Sequence, residues 1–127
     1  MQQASDYELE IMKIIWANGG AALYAKIVTD LEARGNSLTK NTTTTLLSRL
    51  VDKGMLKTSK SGQRNSNIYI AVVSESEYQV DQTTRFVDKI FEGNTKELIT
   101  ALVENDMIPQ NDHEELLKYL RSGGKSK

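Results

Sequence analysis

Between Thr39 and Arg49 the chain reads TKNTTTTLLSR, a run whose side chains could hydrogen-bond a polyanion. Thr39, Asn41, Thr42, Thr44 and Thr45 carry hydroxyl or amide groups that both donate and accept. Lys40 and Arg49 place cations at the two ends. Such residues bond phosphates or base edges, and a threonine methyl can touch the thymine methyl. The run is also costly as a helix. Threonine loses χ1 freedom there, and four in succession cost roughly 2–3 kcal/mol relative to alanine. A helix that keeps them needs a compensating role for its outer face.

The following LLSRLV has the apolar spacing of a packed helix. With Leu46, Leu47, Leu50 and Val51 as the buried stripe, an advance of about 100° per residue puts Thr43 inward. Its methyl then packs, and its hydroxyl can bond back to a carbonyl one turn earlier. Thr45, Asn41, Ser48 and Asp52 fall opposite, Thr42 and Arg49 on one shoulder, Thr44 on the other flank. This outer face almost lacks the Glu, Lys and Ala of ordinary solvent faces. The helix is expected from near Thr39 to Lys53 with Gly54 as its stop, and its N-terminus suits a phosphate.

The next segment, MLKTSKSGQRNSNIYIAVV, holds two short strand-like stretches around a polar, glycine-containing tip. Ile68, Ile70 and Val72 alternate with Tyr69, Ala71 and Val73. This predicts a β-hairpin over about 57–70. Lys57, Lys60 and Arg64 make its tip cationic, as expected of a wing lying along a phosphate backbone. Lys40–Arg64 carries six Lys or Arg against one acidic residue, Asp52. Over the chain the charge divides. Residues 1–73 hold nine basic and six acidic residues, and residues 74–127 hold seven and eleven, for a net of −1. A basic segment in a mildly acidic chain attracts polyanions locally.

These features need elements to position them. Ser5-Asp6-Tyr7-Glu8 is a capping box opening a helix that carries Leu9, Met12, Ile15 and Trp16. A second helix with Ile27, Val28 and Leu31 stops at Gly35. After the hairpin, Ser74-Glu75-Ser76-Glu77 opens a helix bearing Phe86, Val87, Ile90 and Phe91. Asn94 starts another with Leu98, Ile99, Leu102 and Val103. Pro109, the only proline, precedes a last helix expected to be capped by Asn111 and bearing Leu116, Leu117 and Leu120. Residues 123–127 read as a frayed tail. The fold expected is mainly α with a small β-hairpin wing. A winged helix-turn-helix domain occupies residues 1–73 and a three-helix dimerisation domain residues 74–122.

Composition narrows the function. No apolar run approaches the 18 or more residues of a membrane span, by the rough length rule, and the N-terminus lacks the pattern of a secretory signal. A cytoplasmic protein is expected. The chain has no cysteine and a single histidine, His113, so disulfides and thiolate chemistry are excluded. His113 beside Asp112, Glu114 and Glu115 does not make a metal site, because these carboxylates lie on different faces. Nothing resembles a catalytic constellation or a glycine-rich phosphate loop. No enzyme activity, cofactor or metal is expected. Trp16 reads as core.

At this point SDYELEIMKIIW, TKNTTTTLLSRLVDKGML and YIAVVSESEY, in this order and spacing, resemble the penicillinase repressor family (BlaI/MecI type). The resemblance covers nearly the whole chain. It implies a homodimeric transcriptional repressor that binds double-stranded DNA at a palindromic operator, with one recognition helix per half-site in the major groove. Thr39, Lys40, Asn41, Thr42, Thr44, Thr45 and Arg49 would then face DNA, with Lys60 and Arg64 on phosphates. Three positions depart from the family pattern. Thr44 stands where members often carry arginine, so the operator need not be the familiar one. Ala101-Leu102 replaces the Asn-Phe bond at which penicillin-responsive members are cleaved, which leaves an inactivating protease open as a partner. The cysteine cluster of copper-responsive relatives is absent. Antibiotic-resistance regulation is one setting the resemblance suggests.

The C-terminal apolar stripes are too small to enclose an interior of their own, since domains of this size are marginal alone. Phe86, Ile90, Leu98, Leu102, Leu116 and Leu120 are therefore expected at a two-fold interface. Two other readings stay open: a winged-helix module for protein–protein contact, and a DNA-binding regulator that senses a small molecule.

Overall fold

The computed structural model describes residues 2–60 and 67–124. Its elements run α1 (Asp6–Ala17), β1 (Ala21–Leu23), α2 (Tyr24–Ala33), α3 (Lys40–Asp52), β2 (Leu56–Lys60), β3 (Asn67–Ala71), α4 (Glu75–Ile90), α5 (Thr95–Glu104), a 3-10 turn (Gln110–Asp112) and α6 (His113–Arg121). The chain forms two compact units, residues 1–82 and 83–127.

Caps explain most helix starts. The Ser5 amide donates to Glu8 Oε1 at 2.9 Å and the Glu8 amide to Ser5 Oγ at 3.3 Å, the reciprocal box that satisfies two orphan donors. Ser74 and Glu77 repeat it at α4, at 2.9 and 3.0 Å. Thr39 caps α3 and Asn94 caps α5. At α6 the structure corrects the expectation. Asn111 lies inside the 3-10 turn, and α6 starts after Asp112, whose side chain makes no cap bond. The turn that follows Pro109 already supplies the change of direction, so no side-chain cap is used.

In the first unit, Ile11, Met12, Ile14 and Ile15 of α1 pack with Ile27 and Leu31 of α2, Leu47 and Leu50 of α3, and Met55. Burying each such side chain contributes about 1.5–3 kcal/mol. Gly54, at φ +77°, takes the left-handed conformation that ends α3 and turns Met55 inward. Trp16 is half-buried, donates from Nε1 to the Val73 carbonyl at 2.9 Å, and stacks obliquely on Tyr78. Tyr78 in turn accepts the Ala4 amide at 2.9 Å.

The hairpin is part of a larger sheet than expected. β1 joins it, giving the antiparallel order β1-β3-β2 with Ala22 opposite Tyr69 and Lys57 opposite Ile70. Three residues are too few to display an alternating pattern, so β1 left no trace in the sequence. β3 is thereby the central strand and β1 and β2 are the edges, β2 exposed from Lys57 to Lys60. Tyr69 turns to the core face beside Ala22.

In the second unit only Val87 is buried among the described residues. Phe86 and Ile90 of α4 and Leu116 and Leu120 of α6 are 49, 56, 41 and 63% exposed. Leu98 and Leu102 of α5 are half-buried. No helix is long and apolar enough to cross a membrane among the described residues.

Candidate nucleic-acid interface

The residues expected to face DNA lie exposed on α3 and its N-cap. Thr39, Lys40, Asn41, Thr42, Thr44, Thr45, Ser48 and Arg49 are all exposed, whereas Thr43 is buried with 1% of its surface accessible. The Thr43 hydroxyl donates to the Thr39 carbonyl at 3.0 Å. That bond satisfies its polar atom inside the core, as the helical phase required.

The mouth of α3 is organised by hydroxyls. Thr39 Oγ1 accepts the Thr42 amide at 3.1 Å and donates to Thr42 Oγ1 at 2.9 Å. The amides of Lys40 and Asn41, the first two of the helix, have no partner within it. Together with the helix dipole they make an anion-attracting end. Thr44 and Thr45 make no side-chain hydrogen bond to other described residues. Their hydroxyls are thus available to an outside partner. Short side chains here allow close approach of the helix backbone to whatever it meets.

Lys57 and Lys60 are exposed on β2, an edge strand, with Lys60 paired in register with Asn67 at the end of the described ladder. Arg64, the remaining predicted wing cation, lies outside the described residues.

At the C-terminal end of α3 sits a charged contact that the residue pattern did not single out. Glu8 is 1% exposed. Its Oε1 takes both the Ser5 amide and the Lys53 ammonium, and Lys53 also donates to the Gln3 carbonyl at 2.9 Å. Burial pushes the Glu8 carboxyl up, but the Lys53 ammonium and the Ser5 amide outweigh it and hold the group below its ordinary range. The S-x-x-E spacing marked Glu8 as a cap residue. Nothing in it could point to Lys53, 45 positions away. At the opposite end of α1, the Asn18 side-chain amide and Lys26 bond Asp30 and lower its carboxyl as well, which ties the end of α1 to α2.

In the second unit, residues of α5 and α6 line an open apolar groove of about 340 Å³, with Leu102, Leu116 and Leu120 in its wall. His113 contributes to the same wall and holds its Nε2 3.1 Å from the Ile108 carbonyl. No three His, Cys, Asp or Glu side chains gather as a metal site among the described residues.

Comparison with known proteins adds the lineage. The family model described as "Penicillinase repressor" matches residues 4–122. The penicillinase repressor of Bacillus licheniformis is 28% identical over 118 residues, covering 93% of this chain and 89% of that protein. The solution structure of the DNA-binding domain of the repressor BlaI superposes with a TM-score of 0.51 at 33% identity, over 60% of this chain and 88% of that one. The monomeric form of B. licheniformis BlaI, solved in complex with the blaP half-operator, gives 0.50 at 32% identity, over 61% and 89%.

Proposed function

This chain belongs to the penicillinase repressor family, and we propose that it acts as a homodimer on a two-fold operator. It is a DNA-binding transcriptional repressor, not an enzyme. The observation that carries the proposal is the outer face of α3. Asn41, Thr42, Thr44, Thr45 and Ser48 form one exposed patch of short hydroxyl and amide side chains, bordered by Lys40 and Arg49. Such a patch can enter a major groove, where direct contacts to base edges carry sequence information. Thr39 and the free amides of the helix mouth would hold a phosphate. Lys60 and Arg64 would grip the backbone of the flanking DNA, contributing affinity without sequence preference.

In this reading residues 1–73 read DNA and residues 74–122 pair two copies. Phe86, Ile90, Leu98, Leu102, Leu116 and Leu120 would meet their symmetry mates, since so much apolar surface on so small a unit marks an interaction face. The repressor would act in the cytoplasm, where its operator is.

Binding to the promoter DNA adjoining its own gene, titrated with salt, tests the function. A dimer contacting about 6–10 phosphates loses roughly 10³–10⁵ in affinity between 50 and 200 mM salt. A salt-independent interaction, or none, would instead favour a winged-helix module that contacts protein.

A further inference from the structure

We propose that the ion pair between Glu8 and Lys53 is a positioning device for α3: it sets the tilt of the helix and hence the fit of its hydroxyl face to base edges. The inference rests on the DNA-binding reading and deepens it.

Glu8 is the one charged side chain in the buried class among the described residues. Such a carboxylate costs free energy unless paired, and a well-packed apolar residue in its place is often neutral or stabilising. Stability alone is therefore a poor reason for it. Its directional bonds are what an apolar contact lacks. One oxygen, Oε1, joins three parts of the unit: the first turn of α1 through Ser5, the C-cap of α3 through Lys53, and, through the same ammonium, the Gln3 carbonyl. The leucines of α3 hold it against the core by packing that has no directional bonds of its own. The clasp fixes one end.

That end lies opposite the helix mouth, where Lys40, Asn41 and Thr42 sit. α3 has 13 residues, hence a length of about 20 Å. A tilt of about 5° about Lys53 swings the Lys40 end by about 1.7 Å over that length. Hydrogen bonds form within a window of roughly 2.7–3.2 Å, so such a shift breaks direct contacts to base edges. Contacts to phosphates from long, flexible lysines would absorb it. Loss of the clasp should thus lower discrimination more than it lowers affinity for DNA in general.

The test uses the full chain and two duplexes of equal length at fixed salt: the tightest binder that the wild type selects from a random library, and a scrambled sequence. Glu8→Gln keeps the shape and the bond from Ser5. Lys53→Met keeps the stem of a side chain that is partly exposed, so it serves if the first variant folds poorly. Lys53→Arg keeps the cation. Circular dichroism establishes folding at the assay temperature. Both neutral variants should lower the preference for the selected duplex by about tenfold, the scale of one lost base contact. Glu8→Gln should leave binding to the scrambled duplex unchanged. Lys53→Arg should retain the preference. Folded variants that melt earlier yet discriminate as the wild type does would overturn the proposal, leaving the clasp a stabilising contact only. Equal loss in Lys53→Arg and Lys53→Met would overturn it too. A wild type that selects no duplex would sink the DNA-binding reading itself, and this inference with it.

Discussion

Thr43 is buried and gives its hydroxyl to the Thr39 carbonyl, whereas Thr45, two residues on, is exposed and bonds no other described side chain. One residue type thus stands on both the packed and the exposed face of a single helix, and helical phase separates the two. Thr45→Ala is expected to leave stability nearly unchanged. It should relax base discrimination by about 1 kcal/mol, the low end for a direct base contact, as measured by competition between single-base variants of the operator. Glu8 makes a prediction about acid. Its folded-state carboxyl lies below the ordinary value of 4.5, so it stabilises the fold above that pH. The contribution fades as pH falls toward and through the folded-state value. Glu8→Gln should therefore cost about 1.5–3 kcal/mol at pH 7, in line with a lost bond to a charged group. The cost should shrink steadily below pH 4.5. Urea midpoints across that range measure it, and a cost independent of pH would show that the charge is not what stabilises.

Among the elements, β2 and α3 divide the expected labour. β2 is an edge strand whose residues beyond Leu56 are all exposed, so its lysines are spaced by the ladder and not tied into the core. β1 pairs with β3 on the side away from β2, so the sheet has three strands and not two. Lys60→Ala should weaken binding to every sequence alike and reduce the slope of log affinity against log salt by about 1. If Lys60→Ala instead changed the ranking of sequences, the wing would be reading bases. The hairpin and α3 were both legible in the sequence, through alternation around Tyr69 and through the leucine stripe. β1 was not, because three residues carry no period. Asn111 was misplaced as a cap because the Pro109 turn bends the chain without one.

For the whole molecule, the described apolar residues of the second unit are poorly covered. Only Val87 is buried, while Leu120 is 63% exposed. Helices of this kind gain most of their stability from packing an apolar face, and a second copy is the cover we propose. Leu120→Asp should convert the proposed dimer to monomers by sedimentation while helix content stays near the wild-type level. Leu102 is half-buried and lines the α5–α6 groove, so an Asp there would also disturb packing within one copy and makes a less clean probe. A dimer mass unchanged in Leu120→Asp would remove that residue from the interface. Charge follows the same division. The basic excess lies in residues 1–73 and the acidic excess in 74–127, which places attraction for a polyanion where the threonine face is and repulsion where it is not.

Local sequence accounts for the helices, the capping boxes at Ser5 and Ser74, the inward turn of Thr43 and the polar face opposite it. All of these follow from interactions within a few residues, where the 3.6-residue period and the S-x-x-E spacing leave a direct imprint. Tertiary structure alone decided that Glu8 meets Lys53, that β1 completes the sheet, and that Trp16 donates to Val73. Those contacts join residues far apart in the chain. Their geometry depends on how several helices settle around one core, and no local pattern encodes that.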